Sequence, residues 1–159
     1  MNIFVVHKHP RKAARMLCDQ HVVKMALESA QMLCTAINES GGQAPYKSTH
    51  KNHPCNVWAR ETLGNWLWLY DHGNMLCDEY TLRFKKNHKC RSVINECLKV
   101  LDGSGLITDL RKTPHPLCMP DEYKSDDVVQ SYRDFYSIEK RHFATWDKST
   151  PPFWWLEWT

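Results

Sequence analysis

The 159-residue sequence contains only six glycines and has no glycine-rich phosphate loop, dinucleotide fingerprint or nucleophile elbow. These absences argue against an ordinary nucleoside-triphosphate or nicotinamide fold. No stretch approaches the roughly 20 apolar residues that a membrane-spanning helix needs. No charged segment followed by an apolar run opens the chain. We therefore expect no membrane partner and a protein that stays where it is made.

Metal-ligand motifs are also missing, although the chain has nine histidines and seven cysteines. There is no His-Glu-x-x-His and no Cys-x-x-Cys, and His50-x-x-His53 has no obvious third ligand. We accordingly expect no metal and no cofactor. An odd number of cysteines, mostly within helical patterns, favours a reduced, cytosolic protein.

The length suits one domain, which we place over residues 1–159, and the helical patterns below predict an all-α fold. A net charge of +3 and a pI near 8.5 are compatible with a nucleic-acid or phosphate-bearing nucleotide partner. The excess is too small to establish such a partner. Oligomeric state is left open.

One strongly helical stretch, from Asp19 to about Gly41, organises the rest of the chain. His21, Lys24 and Glu28 recur along it at steps of three and four, so they share one face of a helix. A neighbouring stripe from Val23 and Leu27 to Ile37 is predicted to face the core. The polar stripe suits either an ordinary solvated face or a site with an acid, a cation and a proton carrier.

Further helices are predicted on either side of this one. An extended start, residues 2–6, precedes a helix from Arg11 to Cys18. Helical patterns then cover residues 55–86, with interruptions expected at Gly64 and Gly73, and residues 92–101. A last helix is predicted from the Asp126-Asp127 pair to about Trp146.

Candidate ligand-binding residues are concentrated in a loop and on the helices that follow it. The loop over residues 43–54 is rich in hydrogen-bond donors and is either a solvated surface loop or a phosphate-binding one. The predicted substrate-binding residues are Lys24, Lys47, His50, His53, Arg60, Asn65, Arg83, Arg133 and Lys140. For Arg60 and Arg83, pairing with nearby acids such as Glu61 and Glu79 is the alternative.

Three tryptophans lie in the last six residues, after Pro151-Pro152, which is expected to end regular structure. Such a tail either docks on the core or lies across a binding cleft, and docking is the commoner outcome because exposed tryptophan is unfavourable.

The order Leu-x-Asp-Gln-His at residues 17–21, followed on the same helix by Glu28, resembles the small all-helical pyrimidine-dimer DNA glycosylase/lyases of bacteriophages, the endonuclease V-like superfamily. Met-Pro-Asp-Glu-Tyr at residues 119–123, Tyr132-Arg133 and Glu139-Lys140 continue the resemblance. The chain as a whole is most similar to a group of phage proteins of unassigned role, which shares the His50-x-Asn-His-Pro and Trp58-x-Arg60 patterns.

The resemblance implies chemistry in which the α-amine of a processed N-terminal residue attacks C1′ of the sugar and a helical glutamate assists. Glu28 occupies the place of that glutamate. The family's flanking arginines are replaced by Leu27 and Gln31, and bulky Asn2 predicts that Met1 is retained.

Three hypotheses follow. The first is a phage enzyme of the host cytoplasm that acts on an N-glycosidic bond in DNA or a nucleotide, with Glu28 as catalytic carboxylate and His21 as proton carrier. The second is a non-catalytic protein that sequesters a nucleotide-derived host signal as an anti-defence device. The third is a sequence-tolerant DNA-binding protein.

Overall fold

The computed structural model describes residues 1–106 and 108–158. Within them it contains α-helices and short 3₁₀ turns and no strand, which confirms the all-α prediction. The helices are α1 Pro10–Met16, α2 Asp19–Glu39, α3 Pro54–Glu61, α4 Leu63–Phe84, α5 Cys90–Val100, α6 Val128–Glu139 and α7 Phe153–Leu156. No helix in these residues is long and apolar enough to span a membrane.

Helices α2 and α4 form the centre of the packing, because both contact α3 and α5 as well as each other, and α4 also contacts α1. The core face of α2 carries Val22, Met25 and Ala26, together with the later residues Leu33 and Ile37. Val23 and Leu27 are each 41% exposed, so their assignment to the core stripe was wrong. The buried face of α2 is therefore offset by one residue from the predicted apolar stripe. Only the later residues of that stripe are buried.

Ile3, Phe4, Val5 and Val6 form a buried segment without regular secondary structure at the start of the chain. This segment packs against α6 through ring contacts of Phe4 with Tyr132, Phe135 and Tyr136. The N-terminus is thereby held between α2 and a helix more than 100 residues further along the chain.

Two predicted interruptions differ from the structure. The break between α3 and α4 lies at Thr62, whose extended backbone ends α3 and whose hydroxyl accepts the Asn65 N–H to cap α4. Gly73 does not interrupt α4, and a Cβ there would lie 3.1 Å from both Ser29 and Ile94. Gly73 therefore allows close helix packing.

The C-terminal region differs more. Helix α6 ends at Glu139 instead of near Trp146, and the Phe143 and Ala144 N–H groups turn back to the Lys140 carbonyl. Regular structure also resumes after Pro151-Pro152 as the short α7. Trp154 and Trp155 are buried, which confirms docking for this part of the tail, whereas Trp158 is half exposed.

Candidate active site

A cavity of about 290 Å³ opens where α2, the N-terminal segment and the end of α6 meet. His21, Lys24 and Glu28 of α2 all line it, so the polar stripe is not an ordinary solvated face. Glu28 is only 8% exposed, and His21 is also buried. The other lining residues are Met1, Asn2, Phe4, Met25, Phe135, Lys140 and Phe143.

The Glu28 carboxylate is the point on which the nitrogen atoms of this cavity converge. Its Oε2 accepts the backbone N–H of Asn2 at 2.9 Å. The α-amine of Met1 lies 3.8 Å from the same oxygen, and the Lys24 Nζ lies 3.8 Å from Oε1. A buried carboxylate is stabilised by such neighbours, because each supplies positive charge or an N–H donor.

Asn2 is held in place by its side chain as well as its backbone. Its Nδ2 donates to the Cys118 carbonyl at 2.9 Å, and its Oδ1 accepts the Tyr132 hydroxyl at 3.1 Å and the Ile3 N–H at 2.7 Å. The Met1 side chain is buried as well. The position of the first two residues against Glu28 is therefore set by residues from distant parts of the chain.

His21 is fixed by aromatic neighbours and a buried hydrogen bond. Its ring stacks on Phe4 at 4.6 Å between centroids, and its Nδ1 lies 2.7 Å from the Tyr136 hydroxyl. Burial, reinforced by Lys140 and Lys24, lowers the pKa of His21 to about 3. The imidazole is thus neutral near pH 7, and no imidazolium proton is available there for a reaction.

Lys140, just after α6, completes the wall opposite Lys24. Its Nζ lies 4.6 Å from the centroid of Phe135, a cation–π distance. Two lysines thus line the cavity that holds the Glu28 carboxylate, and the N-terminal amine lies beside that carboxylate. Their combined charge favours an anionic ligand at the mouth of the cavity.

Two predicted substrate-binding residues do not reach this cavity. Arg83 is buried, and its guanidinium donates to Glu79, Asp19 and the carbonyls of Leu17 and Arg15. Asn65 is also buried, with its amide on the Trp58 carbonyl and on Thr113. Both side chains have their hydrogen-bonding groups occupied within the protein, so we do not retain them as ligand-binding residues.

The predicted loop residues lie outside the cavity lining. Lys47 and His50 are exposed, and the His50 Nδ1 contacts the Thr49 hydroxyl. His53 caps α3 by accepting the Cys55 N–H, and Arg60 donates to the Lys51 carbonyl at 2.7 Å. The pKa of His53 is lowered first by burial and then by the positive N-terminus, which places this histidine near the cavity.

Arg133 lies at a separate concave surface. It donates to the Val6 carbonyl at 3.0 Å and lines a cavity of about 400 Å³ with His7 and Lys8. The lining holds two cations, Lys8 and Arg133, and one acid, Asp127, and it adjoins the N-terminal segment.

The reasoning from sequence missed several residues of the site. Tyr132 contacts Asn2 across 130 positions of sequence and Tyr136 contacts His21 across 115, while Asn2 reaches Glu28 across 26. No local spacing links such pairs. Phe4, Phe135 and Phe143 were identified only as apolar residues, and their placement around the cavity depends on the tertiary fold.

The fold and the site define an all-helical protein with a carboxylate next to an N-terminal amine. A family model described as pyrimidine dimer DNA glycosylase matches residues 1–92, more than half of the chain. The chain belongs to the pyrimidine dimer DNA glycosylase family, and DNA is the partner that this membership implies. No curated protein and no solved structure matched the chain.

Proposed function

We propose that this protein is a DNA glycosylase that cleaves the N-glycosidic bond of a damaged pyrimidine, with Glu28 as the catalytic carboxylate. The observation that carries the proposal is the convergence of the Met1 amine and the Asn2 N–H on Glu28 inside a cavity flanked by two lysines. Family membership supports the same class of reaction.

The proposed reaction uses the α-amine as nucleophile. Once the amine has lost its extra proton to solvent, its lone pair forms a bond to C1′ while the bond from C1′ to the base breaks. The base takes that electron pair and the proton that the attacking nitrogen then loses. Glu28 stabilises the positive charge that develops on the sugar. With Met1 as the first residue the amine lies 3.8 Å from Glu28, and without Met1 the amine would be the Asn2 nitrogen, 2.9 Å away.

The other side chains are proposed to bind and position the DNA. Lys24 and Lys140 are close enough to the cavity to contact the phosphates that flank the target nucleotide. Lys47, His50, His53, Arg60 and Arg133 extend the basic surface on either side. His21, with its pKa near 3, is proposed as a positioning residue between Phe4 and Tyr136 instead of the proton carrier expected from the sequence.

A second candidate function is binding of a nucleotide-derived signal without cleavage. The specific observation in its favour is the small cavity, near the lower end of about 300 Å³ for ligand pockets, lined by three phenylalanines and two lysines. Aromatic rings suit a nucleobase and lysines suit its phosphate. A phage origin and an anti-defence role belong to this candidate and stay predictions.

The test is incubation of the purified protein with ultraviolet-irradiated duplex DNA, undamaged duplex DNA and a panel of nucleotides that includes cyclic and ADP-ribose-derived compounds. Mass spectrometry then identifies the products. We expect base release or strand cleavage only in the irradiated duplex. Recovery of one nucleotide intact, with a large thermal shift of the protein, would support the binding function instead and contradict the glycosylase proposal.

A further inference from the structure

Three side chains of the kind that bind zinc meet beside the N-terminus, outside the cavity lining. His53 and Cys55 come from the start of α3, and Cys118 comes from the loop before α6. One ligand atom from each lies within 4.8 Å of the other two. We propose that they form a Cys₂His zinc site, a property that goes beyond the glycosylase function and does not depend on it.

The separation of the two sulfurs is the first argument. Cys55 Sγ and Cys118 Sγ lie 3.6 Å apart. Two thiolates bound to one tetrahedral zinc, at about 2.3 Å each, lie about 3.8 Å apart. A disulfide requires about 2.0 Å. The sulfurs are therefore already spaced as zinc ligands, and small movements would also bring the histidine into range.

A second thiol pair in the chain provides a comparison. Cys34 Sγ and Cys97 Sγ lie 3.3 Å apart and are both buried. Among residues 1–106 and 108–158, the His53, Cys55 and Cys118 group is the one set of three potential ligands close enough to share an ion. The Cys34 and Cys97 pair has no such third ligand, so it serves as an internal control.

The surroundings suit a bound cation. Cys55 is fully buried, whereas His53 and Cys118 are half-buried. An ion can therefore enter from solvent and is then partly shielded from water. Two thiolates neutralise the charge of Zn²⁺. The neutral complex would then sit next to the positive N-terminus without net repulsion. Three protein ligands leave the fourth tetrahedral position for water.

Zinc binding would change three existing contacts. Deprotonation of the thiols removes the weak S–H hydrogen bonds from Cys55 to Asn2 Oδ1 and between the two sulfurs. The His53 Nδ1 accepts the Cys55 N–H at 3.2 Å, and a neutral imidazole has only one lone pair. Coordination through either ring nitrogen therefore replaces this helix-capping bond. The loss is this neutral hydrogen bond and two weak S–H ones, a small effect beside three metal–ligand bonds.

The site would also affect the position of Asn2. The Cys118 carbonyl accepts the Asn2 amide at 2.9 Å, and Cys55 Sγ lies 3.9 Å from Asn2 Oδ1. Zinc would therefore link the start of α3 to the loop that contains Cys118, and this loop hydrogen-bonds Asn2, whose N–H contacts Glu28. Its role would be structural, since none of its three ligands lines the cavity.

The test uses the full-length, reduced protein with Zn²⁺ in native mass spectrometry and with Co²⁺ in absorption spectroscopy. We expect one metal per chain, thiolate-to-cobalt charge transfer and the intense visible bands of tetrahedral Co²⁺. Cys118→Ser should abolish the charge-transfer spectrum, and His53→Ala should lower the affinity at least tenfold. Circular dichroism checks that both variants remain helical.

The matched controls are Cys97→Ser, from the other thiol pair, and His50→Ala, three residues before His53. Both should retain the metal and the spectrum of the unmodified protein. No stoichiometric metal, a spectrum unchanged in Cys118→Ser, or a disulfide between Cys55 and Cys118 in the freshly purified protein would each overturn the proposal. None of these readouts depends on DNA cleavage.

Discussion

The two oxygens of Glu28 have different partners. Oε2 faces the main chain of the first two residues, whereas Oε1 faces Lys24 across 3.8 Å. The Lys24 side chain is largely exposed, so its attraction to the carboxylate is screened by water. Lys24 is therefore free to bind a phosphate in place of Glu28, and Lys140 can do the same across the cavity.

We predict that Lys24→Met and Lys140→Met each weaken binding to duplex DNA. Each change removes one cation, so the slope of log K against log salt concentration should fall by about one per lysine if each contacts a phosphate. Fluorescence anisotropy at several salt concentrations measures this.

The control for these lysine variants is Lys99→Met, which removes an exposed lysine paired with Glu96 on α5. Its affinity and salt slope should match those of the unmodified protein. Equal slopes in all three variants and the parent would contradict a phosphate-binding role for Lys24 and Lys140.

At the level of residues, sequence spacing correctly brought His21, Lys24 and Glu28 together because all three lie on one helix. The alternative that it offered for Arg83, a pair with Glu79, is present in the structure. Spacing did not indicate the distant partners that occupy the rest of Arg83 and Asn65, such as Asp19 and Thr113, which are 64 and 48 positions away. Whether a polar side chain is occupied depends on tertiary contacts that spacing does not encode.

At the level of elements, the start of α4 is fitted closely to the long loop before α6. The Gly64 N–H donates to the Asp109 carbonyl at 3.0 Å. A Cβ on Gly64 would lie 2.3 Å from the Leu110 carbonyl oxygen, which is backbone and cannot rotate away. This glycine therefore allows the loop to lie directly against the helix.

We predict that Gly64→Ala destabilises the protein by about 1–3 kcal/mol, because the loop must move to make room for the methyl group. Gly103→Ala is the matched control, since a Cβ there would meet nothing within 4 Å. Urea unfolding of both variants measures the difference. Equal stability of the two would show that the loop does not pack on Gly64 as described.

Helix positions were largely predictable, since proline and glycine mark where helices can begin and end. Pro54 begins α3, and α2 ends just before Gly41, whose φ of +87° suits glycine. The end of α6 was not predictable in this way. Residues 140–150 contain no glycine or proline, and the turn at Lys140 is followed by docking of Trp146, Trp154 and Trp155.

For the whole molecule, three buried histidines predict sensitivity to acid. Burial lowers the pKa of His21 to about 3, of His72 to about 4 and of His115 to about 2. Below about pH 6.5 the three histidines are protonated in the unfolded chain, whereas in the folded protein they stay neutral until the pH approaches their lowered pKa values. Their stabilising contribution is therefore complete above pH 6.5 and is lost as the pH falls through the folded values.

We predict that the free energy of unfolding falls by up to about 4 kcal/mol per pH unit below pH 6, about 1.4 for each histidine. Urea unfolding at pH 7, 6 and 5 measures the slope. His115→Phe should lower this slope by the contribution of one histidine, about 1.4 kcal/mol per pH unit. The ring can be replaced because His115 stacks on Trp58 and has no hydrogen-bond partner for either ring nitrogen. The exposed His142→Gln should leave the slope unchanged, and a flat profile would contradict the assignment.

The site as a whole is built from both ends of the chain. The family match covers residues 1–92, which include Glu28 and the N-terminus. Phe135, Lys140 and Phe143, which close the cavity, lie beyond that range. Sequence resemblance thus indicated the carboxylate, and Lys140 was among the predicted substrate-binding residues. The two phenylalanines of the opposite wall became evident only when the fold placed α6 against the first residues.

The most direct test of the central claim compares Glu28→Gln with Glu39→Gln in a single-turnover assay on ultraviolet-irradiated duplex DNA. Both glutamates lie on α2, but Glu39 pairs with Lys51 outside the cavity. We predict that Glu28→Gln folds normally and loses at least a hundredfold in the rate of glycosidic-bond cleavage, measured as alkali-labile strand breaks at the dimer, while Glu39→Gln keeps the parental rate. Cleavage at the parental rate by folded Glu28→Gln would contradict the account.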